Sequence, residues 1–600
     1  MPLLVFDGDC TFCRKWIARW AEITGERVDY APYQEVAPSF PEIPITAFRS
    51  RVHLLDPNGT CSDGADAVFR ALGARRRWPL WLYEHLPGFA PVSEAAYELI
   101  ARHRHAAAFV TSALWGDSAL APSWTLARRI FLRSLGLVYL IAFISLWVQV
   151  DGLIGRHGIL PVQSYLEAAH DRFGAQAYHL LPTLFWFDAG DFSLHLMCGA
   201  GTAVSLLLIF GVAPPLSLAI LWAAYLSLSV AGQTFLSFQW DVFLLETGFF
   251  AIFVAPWRWY PRFGDSAPVP RLPLWLLRWL LFRFMLMSGI VKLTSGDESW
   301  FHLTALNFHY ETQPLPTWIG WYAGHLPPSL QAASTAVMFF IELIAPIAIF
   351  GPRRLRLIGF WMLVALQGAI ALTGNYNFFN LLTVALCFLL LDDTQWPRWF
   401  STQRQLDERP ASCPWWLTTP FAVLAAILTP WFLYQSFNPE AEMPRPIAAL
   451  AETIAPFRTI NSYGLFRVMT KTRPEIIVEG SRDGEAWHAY EFKWKPGDVS
   501  RRPRFVEPHQ PRLDWQMWFA ALSDYRANPW FLNFLAQLLN GSPAVLALLE
   551  DNPFPDQPPR FIRARIYDYH FTTMDEHGRT GAWWRRDELG FYCPVLSLDR

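Results

Sequence analysis

Charge is scarce in this 600-residue chain: only 17% of positions are Asp, Glu, Lys or Arg, against about 25% in average soluble proteins. Neither sign dominates. A net charge of −2 gives no field that would gather nucleic acid or an acidic substrate. Cysteine is also thin. The seven at positions 10, 13, 61, 198, 387, 413 and 593 are too few and too scattered for a disulfide scaffold. No glycine period runs through the chain, and its apolar content excludes both collagen and disorder. The start, MPLLVFDGDCTFCRKW, lacks a secretory leader pattern: its apolar run breaks at Asp7 and no small-residue cleavage site follows.

Apolar and aromatic side chains are what the sequence has in excess: 53% hydrophobic, with 47 Phe, 30 Trp and 19 Tyr. At about 150 residues per unit the length suggests roughly four domain-sized parts. The expected fold class is a multi-span α-helical membrane protein with an N-terminal thioredoxin-like α/β domain and a C-terminal soluble α+β, β-rich domain. The expected boundaries are 1–125, 126–435 and 436–600.

In the first part, Leu3–Phe6 is a short strand, FDGDC a turn, and Thr11–Glu22 has helical spacing of Phe12, Trp16, Ile17 and Trp20. Arg51–Leu55, with the turn at Pro57-Asn58-Gly59, predicts a hairpin arm, and Asp66–Leu72 a helix. Nine apolar stretches follow, at about 130–150, 192–212, 215–232, 240–256, 273–294, 333–351, 356–373, 376–391 and 415–434, each near the ~20 residues a bilayer needs. The third, fourth and eighth are short, which leaves seven to nine spans open. With nine spans the basic groups Arg128/Arg129/Arg133, Arg258/Arg262/Arg271, Arg353/Arg354/Arg356 and Arg398/Arg404 all fall on one side. The positive-inside rule then makes the N-terminal domain cytoplasmic and the C-terminal domain extracytoplasmic. Beyond 436 the chain is polar again, with strands expected at Glu475–Glu479, Trp487–Lys493 and Phe561–Phe571, and helices at Leu513–Leu522 and Pro529–Leu539.

The sharpest short motif is Cys10-Thr11-Phe12-Cys13 at the start of a helix, behind Asp7-Gly8-Asp9. Orphan N–H groups and the helix dipole favour a thiolate on the first cysteine, and the second, one turn on, can resolve a mixed disulfide. Half of a zinc site, with Cys61 as a third ligand, and two inert thiols are the alternatives. The DGDCTFC signature, with the later GADAVFRAL helix, resembles the DCC-type thiol–disulfide oxidoreductases, a thioredoxin-like family, over about residues 1–110.

Ionisable residues within apolar spans cost about 2.5–3.5 kcal/mol each at a helix centre, so they mark function or pairing. Here they are Asp241, Glu246, Arg283, Lys292 and Glu342. Arg283 and Glu342 are expected to pair with each other. Lys292, at an apolar–aqueous border, either snorkels or is a neutral catalytic base; its GIVKL segment resembles the membrane lysine segment of vitamin K-dependent carboxylases. The loops Gly152–Pro161, Ser299–Pro316 and Gly374–Leu381 gather Trp300, His302, Asn307, His309, Glu311, Asn375 and Asn377. His302 and His309 lie about two helical turns apart, which is unsuited to a shared metal. A cap over a cavity, or a docking face, fits these loops better. No metal and no cofactor are expected.

QWDVFLLETGF (239–249), KLTSGDESWFHLTALNFHYETQPLP (292–316), TGNYNFFNLLT (373–383), INSYGLFRVMTKTRPEIIVEGS (460–481) and EPHQPRLDWQMWFAAL (507–522) resemble the lipase maturation factor family over about 130–600. That resemblance implies a membrane-embedded assistant of lipase folding whose C-terminal region holds the client. Tyr463, Phe466, Trp515 and Trp518 are candidate client contacts, or equally the domain's own core. The fused DCC domain departs from the family, and the leaderless start points to a bacterial inner membrane. The expected partners are an exported lipase or another secreted client and membrane lipids, with no nucleic acid. Two other readings stand beside this one: an integral-membrane enzyme acting on a lipid or quinone-like substrate through Lys292, and a transmembrane thiol relay from Cys10 and Cys13.

Overall fold

A computed structural model describes residues 1–116, 119–260, 268–397 and 413–598. Arg262, Arg398 and Arg404 of the basic clusters lie outside the described residues. Contacts divide the chain into two compact units: Met1–Ser123 with Phe350–Ile358, and Trp124–Ile349 with Gly359–Arg600.

The first unit is built on a sheet of four short strands, β1 (Leu3–Phe6), β2 (Asp29–Pro32), β3 (His53–Leu55) and β4 (Cys61–Asp63), in the order β2-β1-β3-β4. β1 and β2 run parallel across the Thr11–Thr24 helix, while β3 and β4 return antiparallel. Gly59, at φ 81°, turns the β3–β4 hairpin, a conformation only glycine adopts freely. The apolar face of the Thr11–Thr24 helix supplies Ile17 and Trp20 to a core with Leu4, Val28, Leu54 and Ala67. This is the thioredoxin-like arrangement expected. The expected strand, hairpin and both helices are present, the second helix as Gly64–Gly73.

Among the described residues seven helices are long and apolar enough to cross a membrane: Thr125–Trp147, Asp191–Phe210, Pro214–Ala231, Arg271–Leu293, Pro328–Phe350, Arg353–Thr373 and Trp415–Phe437. They pack closely; a Cβ on Gly201 would overlap the Phe143 ring. The two other expected spans are the 16-residue helix Gln239–Val254 and the shorter apolar stretch Phe379–Leu390. Sixteen residues rise only about 24 Å. Both nonetheless run from one end of the bundle to the other. Gln239 bonds Gly464 of the C-terminal part, while beyond Val254 the Trp259 carbonyl accepts the Ala213 N–H at the foot of Pro214–Ala231. Asn380 meets Glu507 at one end, and at the other Asp393 accepts the N–H groups of Thr125 and Leu126.

After the Trp415–Phe437 helix the chain makes an amphipathic helix, Arg445–Ile454, and dips back among the bundle helices over residues 458–469. It then forms a second sheet: β5 (Pro474–Ser481), β6 (His488–Ala489), β7 (Phe561–Phe571) and β8 (Trp584–Ser597), ordered β6-β5-β7-β8 and antiparallel throughout. Helices Arg512–Ala521 and Pro529–Leu539 pack against it, close to their expected bounds. Two expectations need correction. The Trp487–Lys493 strand shrinks to His488–Ala489, because Tyr490 makes its last ladder bond to Val478 before the chain turns away. The outer loop 299–316 is not irregular but holds the short helices Glu298–Phe301 and Leu306–Thr312.

Candidate functional site

Cys10 is the N-cap of its helix, in extended backbone, and its Sγ accepts the Cys13 N–H at 3.3 Å. The turn before it is held from β2's far end: the Gln34 amide donates to Asp7 and Asp9, each at 3.2 Å, and accepts the Gly8 N–H at 3.1 Å. A Cβ on Gly8 would sit 2.8 Å from the Pro32 Cβ, so the turn closes only around glycine. Arg104 anchors Asp7 from the opposite side at 3.3 Å. Burial and the neighbouring Cys10 sulfur push the Cys13 thiol up to about 12. That division fits an attacking Cys10 and a resolving Cys13. Among the described residues no three side chains could hold a metal ion, and Cys61 is exposed on β4.

The five intramembrane charges expected from the sequence are all paired, mostly with the C-terminal part. Asp241 takes both guanidinium nitrogens of Arg512, at 2.6 and 2.7 Å, with the Tyr225 hydroxyl at 2.5 Å. Glu246 binds Arg283 through one oxygen. Its other oxygen accepts the Asn461 N–H (3.0 Å), the Asn461 amide (2.9 Å) and the Tyr463 hydroxyl (2.6 Å). The expected Arg283–Glu342 pair is therefore not formed. Glu342 instead holds Lys292 through both oxygens, at 3.0 and 2.8 Å. Close approach at Gly289, whose absent Cβ would meet Leu343 at 2.7 Å, brings those two helices together at that level. Lys292 also donates to the Ser288 carbonyl and lies 5.5 Å from the Trp300 ring centre. Its three donors face three acceptors, the arrangement of a structural ion pair.

The outer-loop residues are brought together only in part. His309 reaches the Tyr376 hydroxyl at 3.3 Å, and burial with the Lys292 charge lowers its pKa to about 4. His302 and Asn307 are exposed, away from it. Glu311 receives the Phe571 N–H at 2.8 Å and meets His570 at 3.1 Å, while Arg473 reaches back to the carbonyls of Glu311, Gln313 and Pro314. Asn375 bridges Leu315 (3.0 Å), the Arg504 carbonyl (2.9 Å) and the Val506 N–H (2.8 Å). Asn377, buried at φ 55°, has no side-chain hydrogen-bond partner among the described residues. The loops thus form a socket for the C-terminal domain.

The aromatic candidates for client contact belong to that seam. Tyr463 and Trp515 are 3% exposed and Trp518 is 7% exposed, its indole N–H on the Thr312 carbonyl at 2.9 Å. Phe466 packs with the Trp300 cluster and stands edge-on to His309. Tyr463, Trp515 and Trp518 are thus internal packing, the second of the two readings their sequence left open, while Phe466 is half-buried. Sequence reasoning missed Arg512, Asn461, Arg473 and Glu507, which lie outside the spans. The one signal was a pair of acids, Asp241 and Glu246, on a helix with no base of its own, which demands donors from other elements.

Glu507 gives the seam a pH dependence. Its carboxylate accepts the Tyr376 N–H and the Asn380 amide (3.3 Å), yet burial outweighs these bonds and raises its pKa from 4.5 to about 8. A raised folded pKa contributes stability that is full below the unfolded value and is lost as pH rises through the folded one. The stability contributed by Glu507, read as the difference between wild type and Glu507→Gln, should therefore fall from pH 5 to pH 9 by on the order of a few kcal/mol. A difference that does not change over that range would assign the pH dependence to another group.

The chain matches the model of a lipase maturation factor transmembrane domain over residues 126–398 and of a lipase maturation factor C-terminal domain over 459–594. Residues 4–109 match a DCC1-like thiol-disulfide oxidoreductase. It is 38% identical over 587 residues to lipase maturation factor 2 of Xenopus laevis, covering 79% of this chain and 83% of that protein. Against human lipase maturation factor 2 it is 37% identical over 589 residues (79% and 83%), and against mouse lipase maturation factor 1, 34% over 506 (79% and 88%). No solved structure matches.

Proposed function

Because the chain belongs to the lipase maturation factor family, we propose that it is a membrane-embedded factor that helps exported lipases reach their active fold, with a thiol–disulfide exchange domain fused at its N-terminus. The observation that supports this most is the seam itself. Of the buried charges that would otherwise suggest transport or catalysis, Asp241 and the Glu246–Arg283 pair are used up in fixing the C-terminal part onto the bundle, and Lys292 and Glu342 in pairing with each other. What remains is a rigid folded platform, which suits holding a client more than transforming a substrate.

The protein is a membrane protein, and we read it as crossing nine times, the two short helices included. The N-terminal domain is then cytoplasmic, the C-terminal domain extracytoplasmic, and the membrane a bacterial inner membrane. Support comes from the basic turn holding Arg353, Arg354 and Arg356, which belongs to the same compact unit as the N-terminal domain. A membrane-impermeant thiol reagent should leave Cys10 unlabelled in intact cells and label it after lysis.

The deciding experiment is the specific activity of exported lipase, per mass of lipase, in cells with and without the gene. Loss of activity per molecule on deletion supports the proposal; an unchanged value refutes it. Cys10→Ser should abolish dithiol-driven reduction of a disulfide substrate, by on the order of 100-fold or more, without lowering lipase activity per mass. A parallel loss of both would tie the thiols to the client and favour the relay.

A further inference from the structure

With Trp515 and Trp518 packed inside, the same helix presents a different pair to a cleft, Gln516 buried and Phe519 exposed. Gln516 and Phe519, one turn apart on the Arg512–Ala521 helix, face a cleft of about 560 Å³ between the C-terminal domain and the Gln233–Phe238 segment that links two membrane helices. The volume is that of a ligand site rather than a packing defect. Its floor is aromatic: Phe238, Trp530 and Phe519, the last 42% exposed. No charged side chain is among the described residues that line it.

The rim is polar through side-chain amides and hydroxyls. The amide nitrogen of Gln233 donates one hydrogen to the Leu160 carbonyl at 3.1 Å, that of Gln516 donates to Thr234, and that of Asn528 to Ser523 (2.8 Å) and the Asp524 carbonyl (3.1 Å). The Ser237 hydroxyl donates to the Thr234 carbonyl at 3.0 Å. Among the described residues, no hydrogen bond engages the side-chain carbonyl oxygens of Gln233, Gln516 and Asn528. The cleft therefore offers these three acceptors to a ligand, with the Thr234 hydroxyl and the second Gln233 amide hydrogen beside them as donors.

We propose that this cleft is the client dock, and that its ligand is an extended, uncharged, apolar stretch of an exported polypeptide that has not finished folding. Apolar side chains lie on the aromatic floor, and backbone N–H groups meet the free oxygens. A charged stretch would lose its hydration without gaining a partner. An acyl chain brings no N–H donors. A folded client has its backbone N–H groups paired internally, so completion of folding removes what the rim recognises and releases the client. The proposal rests on the folding-factor reading above and gives that reading a site.

The test uses the full chain in lipid nanodiscs and a fluorescent, end-blocked heptapeptide of alternating leucine and serine. Anisotropy should show saturable binding, weakened at least about tenfold (1.4 kcal/mol) when the peptide's backbone nitrogens are methylated or its leucines replaced by lysine. Ala527→Trp and Ser237→Trp, which fill the cleft from opposite walls, should each weaken binding of the unmodified peptide by the same order while leaving the unfolding midpoint in place. Equal binding by both variants, or by the methylated peptide, overturns the dock. The methylation arm needs no variant to fold. In cells, the two tryptophan variants should fail to restore lipase activity per mass. If they restore it fully, the cleft proposal falls and the folding-factor reading survives; if deletion of the gene itself changes nothing, that reading falls independently.

Discussion

Arg512→Ala is expected to destabilise the protein by about 3–5 kcal/mol, because it strands a fully buried Asp241. The guanidinium does more than neutralise that carboxylate. It spans both oxygens and also donates to the Phe235 carbonyl at 3.0 Å, so it ties the Gln239–Val254 helix, the turn before it and the C-terminal domain at one point. Arg512→Lys should recover little, since an ammonium cannot supply the planar fork. Arg512→Leu combined with Asp241→Leu should recover much of the loss, because a buried pair replaced by apolar side chains is often neutral or better. Thermal unfolding in detergent and protease access to residues 459–516 would report both effects. A single Arg512→Ala variant within about 1 kcal/mol of wild type would show that the pair does not secure the domain.

The second large effect concerns Lys292. Lys292→Ala alone should lower folded yield sharply, by about 3–5 kcal/mol of stability, since Glu342 would be left buried and bare. Lost function in that variant therefore does not identify a catalytic base. The pair Lys292→Met with Glu342→Leu separates the two meanings. A structural pair predicts that the double variant folds and restores lipase activity per mass to near wild type. A base at Lys292 predicts a well-folded double variant that remains inactive. The contact geometry, with every ammonium donor engaged, favours restoration.

Much of the architecture was legible because strong periodicities were not overridden. β7 and the Pro529–Leu539 helix have the bounds their spacing indicates, as apolar alternation and a proline-opened helix each carry their own signal. β8 was not legible. Its Arg585–Glu588 run hides the alternation, and as an outer strand of the sheet it exposes both sides there. At the site, the charged membrane residues stood out individually, but their partners did not. Composition shows that Asp241 needs a donor, whereas only the fold shows that it comes from 271 positions downstream. The same limit applied to the aromatic candidates: Trp515 and Phe519 share one helix and one residue class, and only packing separates the core ring from the exposed one.

The re-entry of residues 458–469 and the reach of Arg512 set an order of events during synthesis. Asp241 and Glu246 enter the bilayer with their own helix, while Asn461, Tyr463 and Arg512 have yet to be made. At about 5–20 residues per second, the wait for Arg512 is roughly 14–54 s. Over that interval the nascent bundle carries acids without their final partners, and its helices cannot settle into their mature packing. Final assembly is thus deferred until the ribosome has almost finished, and chains ending before residue 512 would present quality-control proteases with a bundle that has inserted but not closed.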